Sequence, residues 1–248
     1  MKGIILAGGQ GTRLFPLTRV TNKHLLPVYN KPVIYYAVEK MVQADINRIM
    51  IVTSPHHLDS FVELLGSGEN FISQSTKKQI QIVYAIQNEA SGVAQALYIA
   101  KEYVGHDNCL LYLGDNIFED DLSEYIRNFH HGATVFLKKV KDPKRYGIAT
   151  IKNGHVTEIV EKPKKPKSDL AVIGAYIYDN TVFEKCVGQP KSKRGEKEIT
   201  YINNKYITEN SLKAVELKKG WFDIGTFDSL AEASLYMKKK YFNKNKNG

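Results

Sequence analysis

The chain has 248 residues, 43% of them hydrophobic and 25% charged, a globular composition able to bury roughly three-quarters of its unfolded surface without staples. Two cysteines, Cys109 and Cys186, argue against a disulfide scaffold or a zinc ribbon, and no run of about 18 apolar residues offers a membrane span. Lysine and arginine (35) outnumber aspartate and glutamate (26) for a net charge of +9, which suits nucleic acid, small polyanionic substrates, or plain solubility.

The first predicted strand, residues 3–7, turns into a glycine loop before the core of a secretory signal could develop, so a cytoplasmic location is expected. Further strands are predicted over 48–53, 80–85, 109–113 and 133–137, from short β-rich apolar runs. Helical periodicity places helices over 33–44, 56–65, 91–104 and 122–131 between them. This alternation implies a mostly parallel sheet covered by helices on both faces. After about residue 138 the pattern becomes mixed. Strands are expected over 147–151, 156–160, 170–178 and 211–217, with Asn153-Gly154 as a hairpin turn. Helices are expected over 180–187, 199–209 and 227–242, followed by a frayed polar tail, 243–248. No linker separates the halves, so the expectation is one domain over 1–248 with two lobes, 1–137 and 138–242.

Leu6-Ala7-Gly8-Gly9-Gln10-Gly11-Thr12-Arg13-Leu14 follows the first strand, at the sheet end where open α/β folds bind ligands. Glycines there let successive N–H groups converge on phosphate oxygens, although a glycine cluster alone is equally a tight turn. A dinucleotide fingerprint requires a glycine at position 14, and a P-loop requires lysine and then serine or threonine after Gly11. Leu14 and Thr12-Arg13 exclude both. Arg13 and Lys23 instead bring fixed cations to the loop. Asp115, after an apolar run and Gly114, and Asp223, between Trp221-Phe222 and Ile224-Gly225, each suit a magnesium ligand or an Asx-turn.

Gly8-Gly9-x-Gly11-Thr12-Arg13-Leu14, with Pro16-Leu17-Thr18 and Lys23-x-Leu25-Leu26-Pro27, resembles the signature of the sugar-1-phosphate nucleotidyltransferases, and among them most the glucose-1-phosphate thymidylyltransferases. The likeness continues through Gln87, Gly92-Val93-Ala94-Gln95-Ala96, Leu113-Gly114-Asp115-Asn116, Arg145-Tyr146-Gly147, Glu161-Lys162-Pro163, Ala171-Val172-Ile173-Gly174 and Trp221-x-Asp223-x-Gly225-Thr226. The fold it implies is α/β: a Rossmann-like, mostly parallel mixed sheet flanked by helices, with a smaller mixed sugar-binding lobe. The reaction it implies is Mg²⁺-dependent transfer from dTTP to α-D-glucose 1-phosphate, giving dTDP-glucose and pyrophosphate.

By the same resemblance, Asp115 and Asp223 would hold one Mg²⁺, Arg13 would stabilise the triphosphate and leaving pyrophosphate, and Lys23 would lie near the α-phosphate. Leu6, Gly8, Gly9, Gly11 and Thr12 would form the nucleotide loop, with Gln87 and Gly92 selecting the base. Lys162 would grip the sugar phosphate and Glu161 the sugar hydroxyls. Asn116, Tyr146, Gly147, Val172 and Gly174 would complete that pocket, Tyr146 as a wall. Lys164, Lys165 and Lys167 remain surface charge. A homo-oligomer, dimer or tetramer, is expected by analogy, with no nucleic-acid or membrane partner.

Three departures qualify the likeness. Gly195-Glu196-Lys197-Glu198-Ile199-Thr200-Tyr201 carries lysine and tyrosine where the family has leucine and aspartate. Ile173 replaces the usual threonine, which bears on sugar preference only if its side chain faces the pocket. The chain also stops soon after Phe242, short of the segment that helps form a regulatory site in longer relatives. The alternatives are the same chemistry with UTP, CTP or another sugar 1-phosphate, and a non-catalytic nucleotide-sugar-binding protein. A nucleic-acid-binding protein has as its one candidate the basic, aromatic stretch 236–242, which an amphipathic helix also explains.

Overall fold

The computed structural model describes residues 1–73 and 75–246. The chain runs β1 (Lys2–Ala7), β2 (Pro27–Val28), β3 (Lys31–Pro32), α1 (Val33–Gln43), β4 (Arg48–Thr53), α2 (Leu58–Leu65), β5 (Gln81–Ile86), α3 (Val93–Ile99), α4 (Lys101–Val104), β6 (Cys109–Leu113), β7 (Asn116–Phe118), α5 (Ser123–Arg127) and β8 (Ala133–Lys139). The second half adds β9 (Gly147–Lys152), β10 (His155–Glu161), β11 (Leu170–Tyr178), α6 (Val182–Cys186), α7 (Ile199–Thr208), β12 (Leu212–Glu216), β13 (Trp221–Asp223) and α8 (Phe227–Lys246).

A nine-stranded sheet carries the order β10-β9-β11-β6-β1-β4-β5, with β8 bonded to β11 and β12. Its nucleotide-loop side is parallel: β1 lies between β4 and β6, and β5 follows β4. The antiparallel pairing of β11 with β6 joins the two halves. The expected division at 137/138 falls inside β8, which pairs with two strands of the second half. Both faces of the sheet are buried. Ile5, Met41, Phe61, Phe118 and Ile173 belong to one core, and Leu6, Leu97, Leu111, Tyr178 and Ile202 to the other, as continuous apolar strands require.

Sequence and structure differ at several boundaries. The helix expected over 91–104 breaks at Ala100 into α3 and α4. The helix expected over 122–131 shortens to α5, because the chain must turn through Gly132 (φ 81°) to enter β8. Helix α8 continues to Lys246, so the expected tail is partly helical, and 247–248 lie outside the described residues. The Asn153-Gly154 turn forms as expected, with both φ angles positive, joining β9 to β10 as an antiparallel hairpin.

Candidate active site

Two side chains, Asn22 and Thr18, fix the glycine loop as it leaves β1. Asn22 donates its amide to the carbonyl of Ala7 (3.0 Å) and accepts from the backbone N–H of His24 (2.9 Å). The Thr18 hydroxyl donates to the carbonyl of Gly11 (2.7 Å), which is left-handed at φ 63°. These bonds bring Lys23 beneath Gly9, where an added Cβ would stand 3.2 Å from the lysine Cε. The Lys23 ammonium ends on the carboxylate of Asp115. The Arg13 guanidinium packs on Gly225, close enough that a Cβ there would lie 2.8 Å from it.

Asp115 and Asp223 are brought together by a two-strand element that the sequence patterns do not reveal. Strands β7 and β13 pair with Asp223 opposite Asn116, and the N–H of Ile224 donates to the carbonyl of Asp115 (2.9 Å). Burial opposes ionisation of Asp115, but the charge of Lys23 and hydrogen bonds from Lys23 and Asn116 outweigh it and hold the carboxyl below the usual range. Asp223 goes the other way: desolvation first, then the Asp115 charge, push its carboxyl up. Arg145 approaches Asp223 at 3.9 Å. His24, wholly buried beside this pair, is driven down to about 3 by desolvation and by Lys23, so it is a neutral imidazole at physiological pH.

Two cavities adjoin here, the first of them lined by Asp115 and the second by Arg145. The first, about 220 Å³, is lined by Leu6, Gly8, Gly9, Lys23, Gln87, Gly92 and Asp115, most of the expected nucleotide set. The Gln87 amide donates to Gln95 (2.6 Å) and to the carbonyl of Gly92 (3.4 Å), which fixes its orientation. The second, about 210 Å³, is lined by Tyr146, Gly147, Glu161, Lys162 and Val172, residues that the resemblance assigns to the sugar phosphate. Tyr146 is a wall there, packed edge-on against Trp221 at 5.4 Å. Lys162 has φ 43°, a left-handed conformation that a non-glycine residue adopts only under constraint. Val93, Leu113 and Glu196 line both cavities, so one wall separates them.

Residues 2–240 match the family model for nucleotidyl transferases. The chain belongs to the nucleotidyl transferase family. It is 44% identical over 244 residues to the glucose-1-phosphate thymidylyltransferase of Neisseria meningitidis, across 96% of this chain and 82% of that one. The enzyme of the same name from Mycolicibacterium smegmatis is 43% identical over the same shares. Among solved structures, a Bacillus anthracis protein described as a glucose-1-phosphate thymidylyltransferase, in complex with sucrose, superposes with a TM-score of 0.88 at 47% identity, covering 95% of this chain and 94% of that one. A UDP-glucose pyrophosphorylase with UDP-glucose bound shares the fold at TM-score 0.84 and 24% identity, over 96% of this chain and 98% of that one.

Within this nucleotidyl transferase, several expected ligand residues sit behind the cavities. Asn116 is buried; its amide donates to Asp115 (2.8 Å) and its oxygen accepts the Trp221 indole N–H (2.7 Å). Its polar atoms are spent on the protein, so it orients Asp115 and lines neither cavity. Gly174 leaves room for it: a Cβ there would lie 2.6 Å from the Asn116 Cγ. Gly11, Thr12 and Arg13 likewise lie outside the lining of the nucleotide cavity. Ile173 is 1% exposed and packs in the core, while Tyr201 lies outside with Lys205 over its ring at 5.0 Å. Neither lines the second cavity. The second cavity is also lined by Arg194, Thr200, Tyr176 and Asn203, none of which was expected there, although Thr200 lies in the quoted segment 195–201. Arg194 bonds Glu196 (2.7 Å) and Glu198 (3.0 Å), and Thr200 donates to Glu161 (2.7 Å). The one available signal was the family segment 195–201, which begins directly after Arg194 and contains Thr200.

Proposed function

We propose that this nucleotidyl transferase moves a thymidylyl group from dTTP to α-D-glucose 1-phosphate, giving dTDP-glucose and pyrophosphate. The observation that carries the reading is the wall of Val93, Leu113 and Glu196 shared by the two cavities, with Asp115 on the nucleotide side of it. A nucleotide and a sugar phosphate on either side would meet at Asp115 and Asp223. An oxygen of the sugar phosphate attacks the α-phosphorus, and the bond from that phosphorus to the bridging oxygen breaks. Pyrophosphate leaves with the electron pair. The attacking oxygen is already anionic, so no serine or cysteine nucleophile and no general base is needed.

Positioning and charge do the remaining work. Lys162 and Arg194, both on the sugar cavity, supply cationic donors for the sugar phosphate. Arg13, packed against Gly225, would stabilise the departing pyrophosphate, and Lys23, beneath Gly9, would lie near the α-phosphate. Glu161, already accepting from Thr200, is an acceptor for sugar hydroxyls. Gln87, its amide nitrogen already donating to Gln95 and Gly92, offers its amide oxygen as an acceptor to a pyrimidine N–H, and the names of the relatives at 43–44% identity support thymine.

The donor set of Asp115 and Asp223 fits magnesium, a hard cation that takes one or two carboxylates and completes its shell with phosphate and water. Desolvation and then repulsion from Asp115 raise Asp223, and a divalent cation would relieve the repulsion. When bound, the ion neutralises phosphoryl charge as the α-phosphorus is attacked. Incubation with dTTP, glucose 1-phosphate and Mg²⁺, followed by mass spectrometry, tests the reaction. A nucleoside diphosphate sugar is expected; its absence, or hydrolysis of dTTP without transfer, contradicts the reading.

A further inference from the structure

We propose that Asn203 recognises the sugar, donating a side-chain N–H to one hydroxyl oxygen of the hexose, with Tyr178 as the positioning residue that aims it. The inference rests on the second cavity being the sugar site. Asn203 lies in α7, is wholly buried, and lines that cavity beside Thr200, Glu161 and Tyr176. Its amide oxygen accepts the Tyr178 hydroxyl at 2.5 Å, while its nitrogen has no partner among the described residues. A buried amide donor left unpaired is costly and uncommon in folded proteins.

Asn203 is not needed to dock its helix. The neighbouring Asn204 does that, accepting from the N–H of Ile159 (3.0 Å) and donating to its carbonyl (2.8 Å). What surrounds Asn203 instead fixes its direction. The Tyr178 ring is stacked between Tyr176 (5.9 Å) and Tyr206 (5.7 Å), and Tyr206 is anchored by its hydroxyl to Asp179 (2.8 Å). The Tyr178 hydroxyl is therefore held in place, and the oxygen of Asn203 is committed to it. Only the N–H groups remain for the cavity. Glu161 supplies the acceptor on the same cavity, and a sugar hydroxyl both donates and accepts. The pair offers complementary halves of hydroxyl recognition.

The test measures kcat/KM for α-D-glucose 1-phosphate and its 2-, 3-, 4- and 6-deoxy analogues, with the parent enzyme, Asn203→Leu and Tyr178→Phe. One deoxy sugar is expected to lose about 10- to 100-fold with the parent enzyme. Asn203→Leu is expected to lose a comparable factor on glucose 1-phosphate, to lose nothing further on that one analogue, and to leave the KM for dTTP within about twofold. Tyr178→Phe, which frees the amide without opening a cavity, is expected to show the same pattern at smaller amplitude and to serve alone if Asn203→Leu does not fold. Equal losses across all five sugars, or no loss on glucose 1-phosphate, overturn the assignment, since a purely structural or water-bound amide would not single out one hydroxyl. If the parent enzyme turns over none of the five, the proposed reaction itself falls, and this inference with it.

Discussion

A Cβ on Gly92 would stand 2.4 Å from the carbonyl oxygen of Lys197, so the loop between β5 and α3 and the loop between α6 and α7 meet backbone to backbone. Two hydrogen bonds clasp them, from Lys197 N–H to the carbonyl of Ser91 (2.8 Å) and from Ala94 N–H to the carbonyl of Lys197 (3.1 Å). Gly92 also has φ 106°, outside what a side chain tolerates.

Gly92→Ala is therefore expected to raise KM for both substrates and to lower thermal stability by roughly 1–3 kcal/mol. Gly154→Ala is the contrasting case, since its Cβ would meet nothing within 4 Å. It is expected to cost about 1 kcal/mol through its positive φ and to leave both KM values unchanged. Initial-rate kinetics and melting curves on the two variants check the contrast.

Gly174→Ala should act at a distance of one residue. Its Cβ would press on Asn116, which holds both Asp115 and Trp221. A fall in kcat of tenfold or more is expected, roughly 1.4 kcal/mol or above in the barrier. Unchanged kcat in a folded variant would remove Asn116 from the positioning of Asp115.

Ile173→Thr restores the residue usual in the family, yet the side chain lies in the core. The expected result is a loss of roughly 1–3 kcal/mol for a buried hydroxyl, with the order of preference among sugar 1-phosphates unchanged. A shifted order would mean that the side chain reaches the sugar after all.

The two aspartates should respond oppositely to neutralisation. Asp223 has its carboxyl raised, by desolvation and then by Asp115. It favours the folded state while protonated, and that contribution is lost as pH rises through the elevated value. In metal-free protein at pH 8, Asp223→Asn is expected to raise stability by roughly 1–3 kcal/mol, with the difference closing toward pH 4. Asp115→Asn removes the partner of Lys23 and is expected to lower stability at pH 8. Both substitutions should abolish metal-dependent turnover. Thermal melts with and without EDTA, across pH 4–8, check the signs.

The core strands of the large sheet were legible in sequence because they are short, continuous apolar runs: 48–53, 109–113 and 170–178 match β4, β6 and β11. Strands β7 and β13 were not, since three residues are too few to display a period of two. That omission matters, because this small pair sets Asp223 beside Asp115. The glycine loop, Gln87, Glu161 and Lys162 were legible as motif residues flanking strand ends. Asn116 was legible as important but not as buried, because sequence spacing does not say which side of a strand end faces the ligand. Asn203 left no signal at all. A single asparagine on a helix reads the same whether it meets water or a cavity, and only the tyrosine stack of β11 and α7 distinguishes the two.

The most direct test of the account is pyrophosphate release at fixed glucose 1-phosphate and Mg²⁺, with dTTP, UTP and CTP compared by kcat/KM. The account predicts turnover that requires the divalent ion and is greatest with dTTP. No pyrophosphate from any nucleotide would contradict the transfer reaction, and a preference for UTP would contradict the assignment of Gln87 and Gly92 to thymine.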